Sequence, residues 1–266
     1  MMKNCLKIFP IEEADEKAFL DFLNRDPILH IFTIYDLKFM RDKTKVWIAF
    51  KNDDICGYVL EFDRRIVHTH GTVKSVDKLL DRITLDEVVF VVEPDHLAVV
   101  EKVFEPIDPT DASSKGKVTT YLVMKLNPKI FKPIIRHPVK KLGFEDLDEV
   151  LERFGEDEKR RVEEAVRGGL AYGAYEEGLL SSLATVPEII DDVALVRGVY
   201  TLPSLRNRGL ATSICSALSK ELLALGKEVI LWVAKDNLPA RKVYEKIGFQ
   251  KTKYILLGFK TRRIRK

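Results

Sequence analysis

Residues 198–226 constrain the fold most, because they read as a strand, a tight basic turn and a helix. Val199, Tyr200 and Thr201 favour extended backbone. Pro203 ends the strand, since proline has no amide proton to donate to a ladder. The apolar residues that follow recur at helical spacing and predict a helix: Leu210, Ile214, Leu218, Leu222 and Leu225.

The turn before this helix predicts a site for an anion. It comprises Arg206, Asn207, Arg208, Gly209, Leu210 and Ala211. The start of a helix directs free amide protons and the positive end of the helix dipole at one point. Arg206 and Arg208 add positive charge, and Gly209 lets a ligand approach the backbone closely. A phosphate or pyrophosphate fits these properties best.

Composition limits the class of protein. The 266 residues, 46% of them apolar, suffice for one large or two ordinary domains. A net charge of +3 does not call for a nucleic-acid partner. Cys5, Cys56 and Cys215 lack metal-ligand spacing and cannot all pair, which favours a reducing, cytoplasmic setting. No signal peptide is evident, and no apolar run approaches the roughly 20 residues that cross a membrane.

The two halves of the sequence predict the same order of elements, on either side of a proline-containing linker at 127–138. The order is strand, two helices, three strands, helix, strand, helix, strand. We expect domains at 1–126 and 139–266. Strands are predicted at 3–10, 46–50, 55–62, 65–70, 87–94 and 118–126, and again at 139–144, 170–177, 179–190, 193–201, 228–235 and 250–260. Helices are predicted at 13–23, from Pro27, at 75–85 and 96–104, and again at 146–153, 157–168, after the basic turn, and at 239–246.

Faint similarity between residues 90–104 and 231–249 favours an internal duplication. In that alignment His96 falls on Asn237. Where the second half has its basic turn, the first half has residues 70–75, which keep one glycine and one lysine. The first copy is therefore expected to lack a phosphate site. His68 and His70 share a strand face, but two histidines without a third ligand predict a packed or exposed face rather than a metal site.

Two motifs in the second half resemble the GCN5-related N-acetyltransferase (GNAT) superfamily. The first is the strand and turn at 199–211, with Arg-x-x-Gly-x-Ala at its end. The second, at 236–249, contains Asn237, Ala240, Tyr244 and a final Gly-Phe pair. The sequence Val-Tyr-Thr-Leu-Pro is similar to the branch related to glycine N-acyltransferases, and residues 26–37 resemble two-domain members with a degenerate first copy. The resemblance implies α/β (α+β) tandem domains, each with a mixed, mostly antiparallel sheet flanked by helices.

The resemblance also implies a role for each matched residue. The turn, with Thr212 directly after it, would hold the pyrophosphate of acetyl-CoA. Val199, Tyr200 and Thr201 would line the pantetheine, and Asn237 and Ala240 would lie beside it. Tyr244 near the thioester sulfur would be the general acid, and a backbone amide near Val199 would stabilise the oxyanion. No metal is implied.

Several alternatives stay open from the sequence. No general base can be identified among the candidates Glu176, Glu177, Asp191, Asp192 and His137, which also suit turns or the rim of a site. Tyr244 could instead be an ordinary core residue. A non-catalytic coenzyme A sensor and a transferase for another acyl-CoA are the competing functions. The acceptor amine, from a small molecule or a protein, and the choice between monomer and homodimer are open.

Overall fold

A computed structural model describes residues 6–108, 110 and 116–264 of the chain. The predicted order of elements occurs twice along it. The chain divides into two units. The first comprises Met1–Tyr121 and Ile255–Lys266, and the second comprises Leu122–Tyr254. The linker predicted at 127–138 lies within the second unit, and the last residues of the chain belong to the first. The start of the strand predicted at 3–10 and Cys5 lie outside the described residues.

The first copy contains seven strands and four helices among the described residues. The strands are β1 (Lys7–Pro10), β2 (Thr44–Lys51), β3 (Asp54–Phe62), β4 (Ile66–Gly71), β5 (Glu87–Val92), β6 (Phe104–Pro106) and β7 (Thr119–Leu126). The helices are α1 (Glu16–Leu23), α2 (Ile31–Phe39), α3 (Val73–Leu79) and α4 (Leu97–Val100). The helix predicted at 96–104 is shorter than expected, because Phe104 pairs in a strand with Arg263.

The second copy contains six strands and four helices among the described residues. The strands are β8 (Val139–Lys141), β9 (Leu170–Glu176), β10 (Leu179–Ile189), β11 (Val193–Thr201), β12 (Glu228–Ala234) and β13 (Phe249–Arg263). The helices are α5 (Leu147–Phe154), α6 (Glu156–Gly168), α7 (Leu210–Ala224) and α8 (Leu238–Ile247). The predicted elements are confirmed, with shifts at their ends.

Each unit is built on a mostly antiparallel sheet. In the first unit the strands run in the order β1-β2-β3-β4-β5-β13, and in the second the order is β7-β12-β11-β10-β9-β8. The parallel neighbours are β4 with β5 and β11 with β12. Both parallel pairs enclose a crossover helix, α3 or α7. The predicted breaks after β2 and β3 are hairpin turns, with positive φ at Asn52, Asp53, Asp63 and Arg64.

The second sheet is covered by helices on both faces. On one face α7 and α8 bury an apolar cluster that includes Leu210, Ile214, Leu218 and Ile247. On the other face α5 and α6 bury a smaller cluster around Val150 and Val162. The apolar residues of α7 whose spacing predicts the helix therefore form the face that packs on the sheet. No helix among the described residues is long and apolar enough to cross a membrane.

Candidate functional site

The two parallel strands of the second unit separate before they end. Their pairing runs from Val193 with Glu228 to Val196 with Leu231, while β11 continues to Thr201. The separation begins at an irregularity, where Gly198 has a φ of +56° and the pairing of β11 with β10 shifts register. Residues 197–201 therefore extend past the last β12 pair. An extended ligand could pair with the edge of β11 that faces away from β10 there.

Thr185 on β10 supports this irregularity from the neighbouring strand. Its hydroxyl donates a hydrogen bond of 3.2 Å to the carbonyl of Arg197. A Cβ on Gly198 would lie 3.0 Å from the same hydroxyl oxygen. Close packing and a positive φ therefore both favour glycine at this position. The Arg197 side chain forms an ion pair with Glu188, which also comes from β10. Burial raises the pKa of Glu188, although Arg197 opposes that shift.

The start of α7 leaves its amide groups without a side-chain cap. Gly209 occupies the N-cap position with a φ of +90°, and no side chain there accepts a hydrogen bond from the helix. Asn207 has a φ of +65°. Arg206, Asn207 and Arg208 are exposed. A Cβ on Gly209 would meet only one side chain within 4 Å, so there is room beside this backbone. The first turn of a helix carries unpaired N–H groups, and these suit an anion.

The two arginines of the turn have different surroundings. The Arg206 side chain donates to the carbonyl of Thr201 at 3.3 Å and lies over the ring of Tyr200, 5.8 Å from its centre. Arg208 forms a 2.9 Å ion pair with Glu176 at the end of β9. Arg208 is therefore already paired with an acid, a contact that the sequence does not predict. Through Arg206, the basic turn contacts the last residues of β11.

Residues 127–138 pack against α7 and reach the same turn. The backbone N–H groups of Arg136 and His137 both donate to the hydroxyl of Ser213, at 3.0 and 3.3 Å. The N–H of Ile134 donates to Ser216 at 3.0 Å. The Nε2 atom of His137 lies 2.9 Å from the carbonyl oxygen of Arg208. Nothing in the spacing of the sequence indicates these contacts, which join residues 71 or more positions apart.

Tyr244 is buried within the core that lies beside this site. Only 7% of the residue is exposed, and its ring contacts Phe249 edge to face at 5.9 Å. It belongs to the same apolar cluster as Leu210, with Val199 and Ala240 packed at the edge. Burial raises the pKa of Tyr244 well above its usual value, so the hydroxyl is neutral at any ordinary pH.

Two other predicted positions have local structural roles. Asn237 is the N-cap of α8, where its side-chain oxygen accepts from the N–H of Ala240 at 3.2 Å. Its amide NH2 stays available as a donor. Thr212 is buried in the first turn of α7. Cys215, one turn further along, is 1% exposed, and burial raises the pKa of its thiol to about 12, as expected for a packed thiol.

The four acidic base candidates from the sequence occupy turns or ion pairs. Glu176 pairs with Arg208. Glu177 lies in the β9–β10 turn with a φ of +52°. The carbonyls of Asp191 and Asp192 accept from Lys227 and from the N–H of Glu228. None of these four surroundings identifies the residue as a general base. Among the described residues, no three His, Cys, Asp or Glu side chains are grouped to hold a metal ion.

The corresponding positions of the first unit are closed. The pairing of β4 with β5 continues to Thr69 and Val92, the last residue of β5. The helix after β4, α3, is capped by Thr72, whose hydroxyl accepts from the N–H of Ser75 at 3.2 Å. A Cβ on Gly71 would come within 2.4 Å of the carbonyl oxygen of Cys56. The backbone at Gly71 therefore lies against β3, with no space for a side chain.

Two side chains that follow β5, those of His96 and Glu93, contact the end of β4. His96 contacts two residues of β4, with Nδ1 2.9 Å from the hydroxyl of Thr69 and Nε2 2.8 Å from the carbonyl oxygen of Gly71. Glu93 follows β5 and lies 3.4 Å from Nδ1 of His70. His96 stands where the internal alignment has Asn237 in the second copy. His68 and His70 are both buried, which is the packed alternative of the two faces that the sequence allows.

A family model matches the part of the chain from β9 into β13. Residues 171–257 match the model described as FR47-like protein. The search of curated proteins finds no significant match.

Solved structures resemble the whole chain. A protein from Drosophila has a TM-score of 0.68 at 14% identity, over 98% of this chain and 99% of its own. A tandem GNAT protein from the clavulanic acid biosynthesis pathway has a TM-score of 0.62 at 14% identity, over 97% and 98%. A GNAT-family acetyltransferase from Colwellia psychrerythraea has a TM-score of 0.58 at 14% identity, over 97% and 100%. The fold is therefore that of the GNAT superfamily, with two GNAT-like copies in tandem.

Proposed function

We propose that this chain, with its tandem GNAT fold, is an N-acetyltransferase that moves the acetyl group of acetyl-CoA to an amine through its second copy. One observation carries the proposal: β11 separates from β12 directly before an uncapped, glycine-containing helix start. The separated edge suits the extended pantetheine arm, and the helix start suits the pyrophosphate. The copies differ in both features, which favours one site per chain.

The coenzyme would be held mainly by backbone groups. Val199, Tyr200 and Thr201 would form hydrogen bonds along the pantetheine, and residues 206–212 would surround the pyrophosphate. Asn237 would donate its amide NH2 while its oxygen stays on Ala240. Arg206 supplies positive charge from an exposed position. Gly209 supports this fit, because it adopts a φ of +90° at the helix start, which a residue with a side chain would resist.

Transfer would then need little more than alignment of the two reactants. The amine nitrogen attacks the thioester carbon, the C–S bond breaks, and the amine loses one proton to solvent or a base. A backbone N–H near Val199 would stabilise the oxyanion. Tyr244 would donate to the sulfur as the C–S bond breaks; burial keeps the phenol protonated for that role. Holding amine and thioester together supplies much of the acceleration.

The proposal leaves several classes of acceptor amine open. The resemblance of the β11 sequence to glycine N-acyltransferase relatives makes small amino acids the first acceptors to try, followed by protein amines. A longer acyl donor is an alternative of the same chemistry. We propose a cytoplasmic monomer or homodimer.

Ligand-induced stabilisation tests the coenzyme part of the proposal. At a hundredfold excess over Kd, acetyl-CoA should stabilise the wild type by about 2.7 kcal/mol, seen as a rise in Tm. Gly209→Glu should abolish the rise, because it adds a negative charge to the turn that would bind the pyrophosphate and strains the backbone at its positive φ. Gly226→Glu is the matched control: it lies just beyond the other end of α7, also at positive φ, with open space around it. A wild type that acetyl-CoA does not stabilise would refute the proposal.

Release of free thiol from acetyl-CoA, measured with a panel of amines, tests the catalytic part. The proposed transferase releases thiol in an amine-dependent way, and the acetylated amine accumulates in equal amount. Binding without release from any amine or any acyl-CoA would instead favour the non-catalytic sensor. Release that requires a longer acyl-CoA would change the donor and keep the reaction class.

A further inference from the structure

We infer that His137 is a positioning residue of the pyrophosphate site, because it fixes the orientation of the peptide between Arg208 and Gly209. The inference rests on the proposed function and adds a residue from outside both motifs. His137 lies in the segment at 127–138, which the sequence predicts to be only a linker.

The hydrogen bond fixes which atoms face the ligand. The Nε2 atom of His137 is 2.9 Å from the carbonyl oxygen of Arg208. A carbonyl can only accept, so His137 must carry a proton on Nε2. The peptide that follows is trans, because the described residues contain no cis peptide bond. In a trans peptide the N–H points away from the C=O. The imidazole therefore holds the carbonyl on its own side and turns the N–H of Gly209 the opposite way.

This peptide needs an external partner because its own conformation gives it little resistance to rotation. Gly209 has a φ of +90°, and glycine reaches both signs of φ with almost equal ease. A flipped peptide would direct the carbonyl dipole at a bound anion and remove one donor. Arg208 is the residue before it, and the Arg208 side chain already pairs with Glu176. The backbone carbonyl thus depends on His137 for its orientation.

His137 is itself held by the helix whose start it orients. The N–H groups of Arg136 and His137 donate to Ser213, and the N–H of Ile134 donates to Ser216. Both serines are buried on α7. Prolines at 133 and 138 flank the segment and lower its conformational freedom. The imidazole and the N-cap are therefore positioned relative to the same helix.

The inference predicts an effect confined to the phosphate-bearing part of the donor. Acetyl-CoA carries the pyrophosphate, and S-acetyl-pantetheine lacks every phosphate, although both present the same thioester. Loss of the His137 hydrogen bond should weaken acetyl-CoA binding and leave reaction with S-acetyl-pantetheine unchanged. A residue needed only for folding would alter both donors.

The experiment compares three variants of the full chain by calorimetry with acetyl-CoA and by kcat/KM with S-acetyl-pantetheine. His137→Leu removes the donor and should raise the Kd of acetyl-CoA about tenfold, the equivalent of one hydrogen bond. His137→Gln, whose amide nitrogen can replace Nε2, should restore the Kd to within about twofold. Ile135→Ala, in the same segment with a half-exposed apolar side chain, is the control and should match the wild type.

The possible results separate the two proposals. An unchanged Kd in His137→Leu, while the wild type binds acetyl-CoA, overturns the inference alone. An equal loss with both donors, or no rescue by glutamine, also overturns it. A wild type that does not bind acetyl-CoA overturns the proposed function, and the inference with it.

Discussion

Tyr244 shows how one side chain can be both a core residue and a candidate catalytic residue. Its ring is buried against Phe249, as the apolar spacing around it predicts. The same burial raises the pKa of the phenol. A protonated phenol can donate to a sulfur atom that gains negative charge. Packing therefore keeps the proton on the phenol, while the raised pKa makes the phenol a weaker acid.

Replacement of Tyr244 by phenylalanine tests the catalytic role. Tyr244→Phe should lower kcat by about a hundredfold, the lower end for a general acid, and leave the Kd of acetyl-CoA within about twofold. Tyr172→Phe is the matched control, because Tyr172 is another tyrosine of the same core and its hydroxyl bonds to Glu221. Steady-state kinetics with calorimetry provide both numbers. An unchanged kcat would remove Tyr244 from the mechanism.

The pH profile should agree with that assignment. Because burial raises the pKa of Tyr244, the phenol stays protonated throughout the usual assay range, up to about pH 10. Ionisation of Tyr244 therefore contributes no decline of kcat on the alkaline side.

At the scale of elements, β11 and the start of α7 form the proposed site through two departures from regular geometry. Gly198 interrupts the strand, and Gly209 begins the helix with its N–H groups uncapped. In the first copy, β4 pairs to the end of β5, and Thr72 caps α3. The apolar periodicity is similar in both copies and predicts the elements equally well. The difference that matters for binding lies in a few residues at the strand ends.

The interruption in β11 leads to a prediction of its own. Gly198→Ala puts a side chain at positive φ and 3.0 Å from the Thr185 hydroxyl, so it should cost about 1 kcal/mol or more of stability and weaken acetyl-CoA binding. Gly178→Ala, at a φ of +79° with nothing nearby, should cost a similar backbone strain and leave binding unchanged. Denaturant unfolding and calorimetry measure the two effects. Equal binding by both variants would contradict a role for the interruption.

The sequence predicts the strand, turn and helix of the proposed site, but it does not predict the contacts between distant segments. The turn at 206–211 and the strand before it are predicted because proline, glycine and apolar spacing act locally. The contacts of His137, Glu176 and Thr185 are not predicted, because each joins a residue many positions away and has no periodic signature; the sequence offers His137 and Glu176 only as candidate bases. His137, for instance, reaches Arg208 across 71 positions. Such contacts depend on how α7 and the strands pack, which local propensities do not specify.

The same limit applies to the division of the chain. The repeated order of elements is predictable, since each copy has the same alternation of strand and helix patterns. The assignment of Ile255–Lys266 to the first unit is not, because sequence order alone places the last strand with its neighbours. The register shows the reason: Leu257 to Arg262 pair with β5.

At the scale of the whole molecule, we propose that only the second copy binds the coenzyme. The first copy has the same order of elements, but His96 bridges Thr69 and Gly71 where the second copy is open. The strands there stay paired and the helix start is capped. A chain with two copies of the fold is therefore expected to have a single site.

The most direct test is titration of the full-length wild type with acetyl-CoA by isothermal calorimetry, with Gly209→Glu in parallel. We expect one acetyl-CoA bound per chain in the wild type and none in the variant. Two molecules bound per chain, or one bound per chain in Gly209→Glu, would contradict the proposal.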